Sequence, residues 1–237
     1  MTPYYEQDGI VIYHGDNLDV LHEWEDLRTK SFDLLLTDPP YGLKQGHERS
    51  RGGSGASRTL TGMFAGQPRP CRGDYGADEG WDDELAHEAV ARARGICRHH
   101  IIFGGNYYDL GPARCWLVWD KQNGDTDFAD CELAWTNLDR AVRRLVYRWN
   151  GMLQQPGRPK EPRIHPAQKP EPVMVWALGL APDSVRTILD PFMGIGTSLV
   201  AAKRLGKQAV GIEQSERWCE IAAKRLSQGA LPLEMGA

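Results

Sequence analysis

Thr37-Asp38-Pro39-Pro40-Tyr41 closes the apolar run Phe32-Asp33-Leu34-Leu35-Leu36, and the fold is read outward from this stretch. A largely apolar strand that ends in an acid, two prolines and an aromatic ring is a parallel strand reaching the carboxyl edge of its sheet, where α/β proteins place ligands. The prolines remove two backbone donors and fix φ, so the Pro39 carbonyl can be held inward while the Asp38 carboxylate accepts a second hydrogen bond. A carboxylate, a constrained carbonyl and a flat ring together make a pocket for a planar amine, with Tyr41 placed to stack on the ring that carries it. Taken alone, the same residues also read as a strand running into a proline turn, for which Asp-Pro is an ordinary start.

A second stretch, Val185-Arg186-Thr187-Ile188-Leu189-Asp190-Pro191-Phe192-Met193-Gly194-Ile195-Gly196-Thr197, decides between these readings. It reads as a strand, a tight glycine turn and a helix beginning near Thr197, with glycines that let the backbone approach a ligand closely. Together the two stretches resemble the DNA amino-methyltransferases that use S-adenosylmethionine, in the group whose catalytic DPPY precedes the FxGxG cofactor loop. His165-Pro166-Ala167-Gln168-Lys169-Pro170 resembles the HP-(T/A)-QKP element that this group carries ahead of its cofactor strand. The resemblance spans most of the chain and is nearest to the short phage and prophage members.

The resemblance implies an α/β fold: a single-domain, Rossmann-like methyltransferase sheet, mostly parallel with an antiparallel edge hairpin, in circularly permuted motif order. It implies a catalytic group of Asp38, Pro39, Pro40 and Tyr41, and cofactor contacts from His165, Lys169, Pro170, Asp190, Pro191, Phe192, Gly194, Gly196 and Thr197. Lys169 stands at the entrance of the following helix, where its charge could meet the cofactor's carboxylate; otherwise it is a surface lysine. Asp16, in His14-Gly15-Asp16-Asn17, is well placed as a helix N-cap, while the resemblance turns the same acid toward the cofactor's adenine. Glu213 closes the strand Gln208-Ala209-Val210-Gly211-Ile212-Glu213, 19 residues after Gly194, a spacing at which an acid accepts from ribose hydroxyls. No metal site is read.

An adenine amine is a poor nucleophile because its lone pair is delocalised into the ring. Accepting both of its hydrogens, on Asp38 and the Pro39 carbonyl, favours a pyramidal nitrogen aligned on a sulfonium methyl for direct displacement. The base must leave the double-stranded DNA to arrive there, and stacking offsets that cost. Cytosine N4 shares the geometry; members of the group that act there more often begin the motif with Ser, so Asp38 favours adenine. Cytosine C5 chemistry needs a cysteine after a proline, and Pro70-Cys71 supplies one in a glycine-rich stretch that leaves DPPY unexplained. A glutamine or RNA methyltransferase would carry its glycine turn first. A nicotinamide fingerprint fails at Leu199, where its third glycine belongs, and Gly196-Thr197-Ser198 lacks the lysine of a nucleotide-phosphate loop. A catalytically inactive DNA-binding module of the same fold is the alternative from another class.

With 237 residues, 41% of them hydrophobic, the chain suits one well-buried domain with inserted loops. The absence of a long apolar run and of a basic-then-apolar N-terminus points to a cytoplasmic protein without a membrane anchor. Its five cysteines are widely spaced without a CxxC pair, which favours reduced thiols. The net charge of -4 hides a segregation. Residues 42 to 72 carry six basic groups against Glu48, and residues 138 to 169 carry eight against Asp139 and Glu161, whereas residues 1 to 38 hold nine acids. Basic stretches gathered on one side would face phosphates. The glycine-rich stretch 42–80 and the Pro/Gly-rich stretch 150–164 are therefore the expected DNA-contacting, mobile loops. A homodimer is allowed by the resemblance alone.

The remaining pattern places strands at 10–13, 32–37, 100–103 and 115–119, edge strands at 132–135 and 145–149, and helices from Asp16 to about Leu27, Trp81 to about Cys97, 172–180, 198–205 and 215–226.

Overall fold

The computed structural model describes residues 1–27, 31–43, 84–124, 129–150, 153–158, 160–162, 164–165 and 167–228. Most of the glycine-rich stretch, including Pro70-Cys71, and the expected helix start at Trp81 lie outside these residues. In chain order the strands are β1 (Tyr5–Gln7), β2 (Ile10–His14), β3 (Phe32–Thr37), β4 (Cys97–Phe103), β5 (Cys115–Asp120), β6 (Cys131–Thr136), β7 (Arg143–Val146), β8 (Trp149–Asn150), β9 (Leu153–Gln154), β10 (Thr187–Asp190) and β11 (Gln208–Glu213). The α-helices are α1 (Asn17–Leu27), α2 (His87–Gly95), α3 (Glu171–Gly179), α4 (Thr197–Arg204) and α5 (Glu216–Ser227).

Nine strands form one sheet in the order β1-β2-β11-β10-β3-β4-β6-β5-β7, and β8 and β9 pair separately. From β2 to β4 every pairing is parallel. The expected edge strand at 132–135 is β6, and it lies inside the sheet, antiparallel to both β4 and β5. The rim belongs to β7, parallel to β5, and the predicted run 145–149 is divided between β7 and β8. Burial explains the difference: Ala134 and Trp135 of β6 are enclosed on both faces, whereas Arg143 and Arg144 of β7 are exposed and suit a rim. The short β1 carries no run long enough to read from sequence.

Helices cover both faces. Val20, Leu21 and Trp24 of α1 and Ala89, Val90 and Ala93 of α2 share one core with Leu35 and Leu189. On the other face Val173 and Ala177 of α3, Ala201 and Ala202 of α4 and Ala222 of α5 pack on Ile12, Leu34 and Ile188. Alternate residues of β3 and β10 therefore enter different cores, which is why these strands read as continuous apolar runs.

The lateral neighbours β3 and β10 carry the two decisive motifs, and their successors β4 and β11 lie on opposite sides of the pair. Such a divergence opens a crevice at the strands' carboxyl ends. At the other end Asp33 pins the pairing: its Oδ2 accepts from the backbone N–H of Arg186 (2.8 Å) and Thr187 (3.0 Å) and from the Thr187 hydroxyl (3.1 Å). These backbone donors, with the Thr187 hydroxyl and the Arg98 charge, hold the Asp33 carboxyl below its usual value of 3.8. A depressed acid contributes stability above its unfolded-state value and loses that contribution as pH falls through it. Asp33→Ala is expected to lower unfolding free energy by about 1 to 3 kcal/mol at pH 7. In urea titrations the gap from the unsubstituted protein should narrow at pH 3, and a gap independent of pH would contradict this role.

Candidate active site

Met193, Gly194 and Ile195 form the turn between β10 and α4 and line a cavity of about 630 Å³ at the sheet's carboxyl edge. Gly194 (φ 51°) and Gly196 (φ 73°) hold left-handed backbone that suits glycine, and a Cβ on Gly196 would stand 3.1 Å from the Ala222 Cβ. Gly196 therefore packs the turn onto α5 and does not itself line the cavity.

Asp190, at the tip of β10, holds this turn in place. Its Oδ1 accepts from the Thr37 hydroxyl (2.7 Å) and the Phe192 backbone N–H (3.1 Å), and its Oδ2 accepts from the Ser198 hydroxyl. Burial pushes this carboxyl up to about 6 against the pull of its three donors. Asp190 borders the cavity, yet both oxygens are engaged within the protein, tying β3, β10 and α4 together. Glu213 acts in parallel: its Oε2 accepts from the Gly194 N–H (3.1 Å) and its Oε1 from the Ser215 N–H (2.8 Å).

The other expected cofactor residues divide. Asp16, Pro191, Phe192, Thr197, Glu213, His165 and Lys169 line the cavity, and Asp16 also accepts from the Leu18 N–H at 2.8 Å, as an N-cap does. His165 meets the indole of Trp218 edge-on, with centroids 4.7 Å apart, and its Nδ1 accepts from the Ala167 N–H (3.1 Å). Pro170 does not line the cavity; it is the N-cap residue of α3, and its carbonyl accepts from the Val173 N–H. Gln168 and Trp218 are wall residues that the sequence reading missed. Trp218 looks like one apolar position of an amphipathic helix, and nothing in its spacing separates it from core.

Beyond β3 the cavity is bordered by Asp38 and Pro40, while Pro39 is buried. The Asp38 Oδ2 accepts from the Lys169 ammonium at 2.5 Å, and its Oδ1 from the Tyr41 hydroxyl at 2.5 Å. Lys169 is only 7% exposed, and its Nζ also stands 3.1 Å from the Tyr41 hydroxyl and 2.9 Å from Glu132 Oε2. Lys169 is therefore not a surface lysine: it lines the cavity, and two protein carboxylates hold its charge. Glu132, on β6, also pairs with the Lys121 ammonium. Burial pushes the Asp38 carboxyl up and the Lys169 charge pulls it back, while the Glu132 charge adds to the rise. Burial would also raise Glu132, but the ammoniums of Lys169 and Lys121 outweigh it and hold it at about 2. Lys169 is lifted to about 12 by the two carboxylates despite its burial.

Tyr41 does not stand open for stacking. Its ring lies against Tyr107, with centroids 5.0 Å apart and planes 23° apart, and Tyr107 is 41% exposed. Burial and the Asp38 and Glu132 charges hold its hydroxyl well above 10, so it remains a phenol donating to Asp38. Gly104 (φ 63°) ends the path of β4 beneath this ring, and a Cβ there would come within 2.0 Å of Tyr41 Cε1. Tyr108 fixes the neighbouring backbone, donating its hydroxyl to the Pro40 carbonyl at 2.5 Å. Gly104→Ala is expected to displace Tyr41 and to cost about 2 to 4 kcal/mol in stability through overpacking and backbone strain. Urea unfolding checks the cost, and a change below about 0.5 kcal/mol would contradict the contact.

Residues 115–224 match the family model N6_N4_Mtase, described as DNA methylase. The chain is 26% identical to the Type II methyltransferase M2.LlaDCHI of Lactococcus lactis subsp. cremoris, over 96% of this chain and 93% of that protein. It is 24% identical to the Type II methyltransferase M2.DpnII of Streptococcus pneumoniae, over 94% and 92%. Among solved structures it is similar in fold to the M1.HpyAVI–SAM complex, with a TM-score of 0.55 at 19% identity over 91% of this chain and 99% of that one. PvuII DNA methyltransferase, cytosine-N4-specific, has a TM-score of 0.53 at 11% identity, over 97% and 90%. The carboxyl-terminal side of the chain thus matches a DNA methylase family model, and Type II methyltransferases are similar to the chain along nearly its whole length.

Proposed function

We propose that the protein methylates the exocyclic N6 of adenine in double-stranded DNA, taking the methyl group from S-adenosylmethionine by direct displacement on a base flipped out of the duplex. One observation carries this reading: Asp38 and the glycine turn at Gly194 border one cavity, although they lie 156 residues apart in the chain.

The residues present fit the cofactor. Asp16 and Glu213 offer carboxylate oxygens to amine and hydroxyl donors, Trp218 and Phe192 offer aromatic and apolar surface, and the glycine turn lets backbone approach closely. When bound, S-adenosylmethionine supplies an electrophilic methyl on a sulfonium. The catalytic group is Asp38, Pro39, Pro40 and Tyr41. A carboxylate has lone pairs beyond those used by Lys169 and Tyr41, so Asp38 can accept an amine hydrogen while both contacts persist. The Pro39 carbonyl takes the second hydrogen. Stacking on Tyr41 requires Tyr107 to move aside or to become the second plane against the base.

Single-domain organisation and DNA contact through 42–80 and 150–164 complete the reading. Arg140, Arg143, Arg144, Arg158 and Lys160 are exposed along the second basic stretch, which supports phosphate contact there. The adenine assignment rests on Asp38 at the head of the motif, and cytosine N4 is the second reading, favoured by the PvuII likeness in fold. A restriction partner and a site of action in the cytoplasm of a bacterial or phage-infected cell accord with the Type II relatives and the resemblance to phage members, and a homodimer rests on the resemblance alone.

Purified protein incubated with S-adenosylmethionine and duplex DNA should yield N6-methyladenine in nucleoside mass spectrometry; N4-methylcytosine would establish the second reading, and no modified base would refute both. Asp38→Ala is expected to lower turnover by about 10³-fold or more while cofactor binding in calorimetry survives. An active Asp38→Ala protein would overturn the role assigned to that carboxylate.

A further inference from the structure

Lys121, Glu132, Lys169 and Asp38 form a chain of alternating charge that ends at the reacting carboxylate. Each link comes from a different part of the fold: Lys121 follows β5, Glu132 lies on β6, Lys169 precedes α3 and Asp38 follows β3. The side chains of Lys169, Asp38, Glu132 and Lys121 are 7%, 15%, 20% and 17% exposed. Charges so withdrawn from water act on one another with little screening.

Lys169 alone would oppose the proposed chemistry. Its ammonium lies 2.5 Å from the oxygen that must accept an amine hydrogen, and it borders the cavity that must admit a sulfonium. The positive charge of that sulfonium passes to the base amine during transfer, so a second cation beside it repels the bound donor and the transition state alike. Glu132 removes the conflict, because its Oε2 forms an ion pair with the same ammonium at 2.9 Å and finds no hydrogen-bond partner among the described residues.

We infer that Glu132 is a positioning residue for methyl transfer: by sharing the Lys169 ammonium it leaves Asp38 free to accept the target amine and keeps the cavity selective for the cationic methyl donor over its neutral product, S-adenosylhomocysteine. The inference rests on the methyltransferase reading above. The Lys169 charge opposes the rise that burial imposes on the Asp38 carboxyl, and Lys121 balances the charge that Glu132 adds.

The test is calorimetric binding of S-adenosylmethionine and S-adenosylhomocysteine to the unsubstituted protein and to Glu132→Gln, Glu132→Asp and the double variant Glu132→Gln/Lys169→Met. Glu132→Gln should weaken S-adenosylmethionine about tenfold and leave S-adenosylhomocysteine within about twofold, with turnover down about tenfold or more. Removing the opposing cation in the double variant should restore the selectivity ratio without restoring turnover, and Glu132→Asp should recover part of both. A merely structural glutamate would weaken both ligands together, and the double variant would not recover the ratio. Equal loss of both ligands, or a ratio unchanged in Glu132→Gln, would overturn the inference and leave the methyltransferase reading standing. Failure of the unsubstituted protein to bind either ligand would sink the reading itself and this inference with it.

Discussion

The pairing of β3 with β10 is the constraint on which the site depends. Their register sets Leu34 beside Ile188 and Leu35 beside Leu189, so both strands end at the same edge of the sheet, with Asp190 closing β10 and Asp38 following Thr37 of β3. The Thr37 hydroxyl then bridges to Asp190, and Asp190 in turn holds Phe192 and Ser198 at the start of the glycine turn. A slip of one residue would turn every side chain of β3 to the opposite face and withdraw Asp38 from the cavity. At the far end Asp33 resists such a slip by accepting from the backbone at Arg186 and Thr187. The geometry of the reaction is thus secured by ordinary strand pairing.

Charge is the second constraint. Burying a carboxylate near the sheet's edge is costly unless opposite charge or hydrogen bonds accompany it. The protein meets that cost twice in different ways. Asp190 is surrounded by neutral donors and is pushed up to about 6, which suits a group that need only hold a turn. Asp38 instead faces an ammonium, whose charge is in turn shared with Glu132. The two acids look alike in sequence, each followed by proline, and only their environments, neutral donors for one and an ammonium for the other, tell them apart.

The arrangement of aromatic residues follows from the same edge. Tyr41 packs over Gly104 because β4, the neighbour of β3, ends in glycines where a side chain would collide with the ring. Tyr107 covers the ring from the short turn that follows. The expected free stacking surface is therefore an aromatic pair, and Gly104-Gly105 acquires a steric meaning that composition alone did not disclose.

Sequence by itself was enough for the strands that carry the site, since β3, β10 and β11 are buried on both faces and their apolar runs end at acids and glycines with local turn chemistry. It sufficed also for helices α1, α3, α4 and α5, whose apolar spacing and flanking residues are local signals, and for the expectation that Asp38 and the turn at Gly194 serve one reaction. What only the tertiary structure decided are the contacts between elements distant in the chain. Glu132 reads as an ordinary edge-strand acid until β6 is seen between β4 and β5, and that Lys169 meets Asp38 is not legible until the segment before α3 is seen against the tip of β3. Trp218 is a helix residue like its neighbours until α5 sets it against His165 at the cavity. Local patterns record which face of an element is buried, whereas which charge or ring it meets there depends on the order of strands, and that order is fixed by packing across the whole sheet.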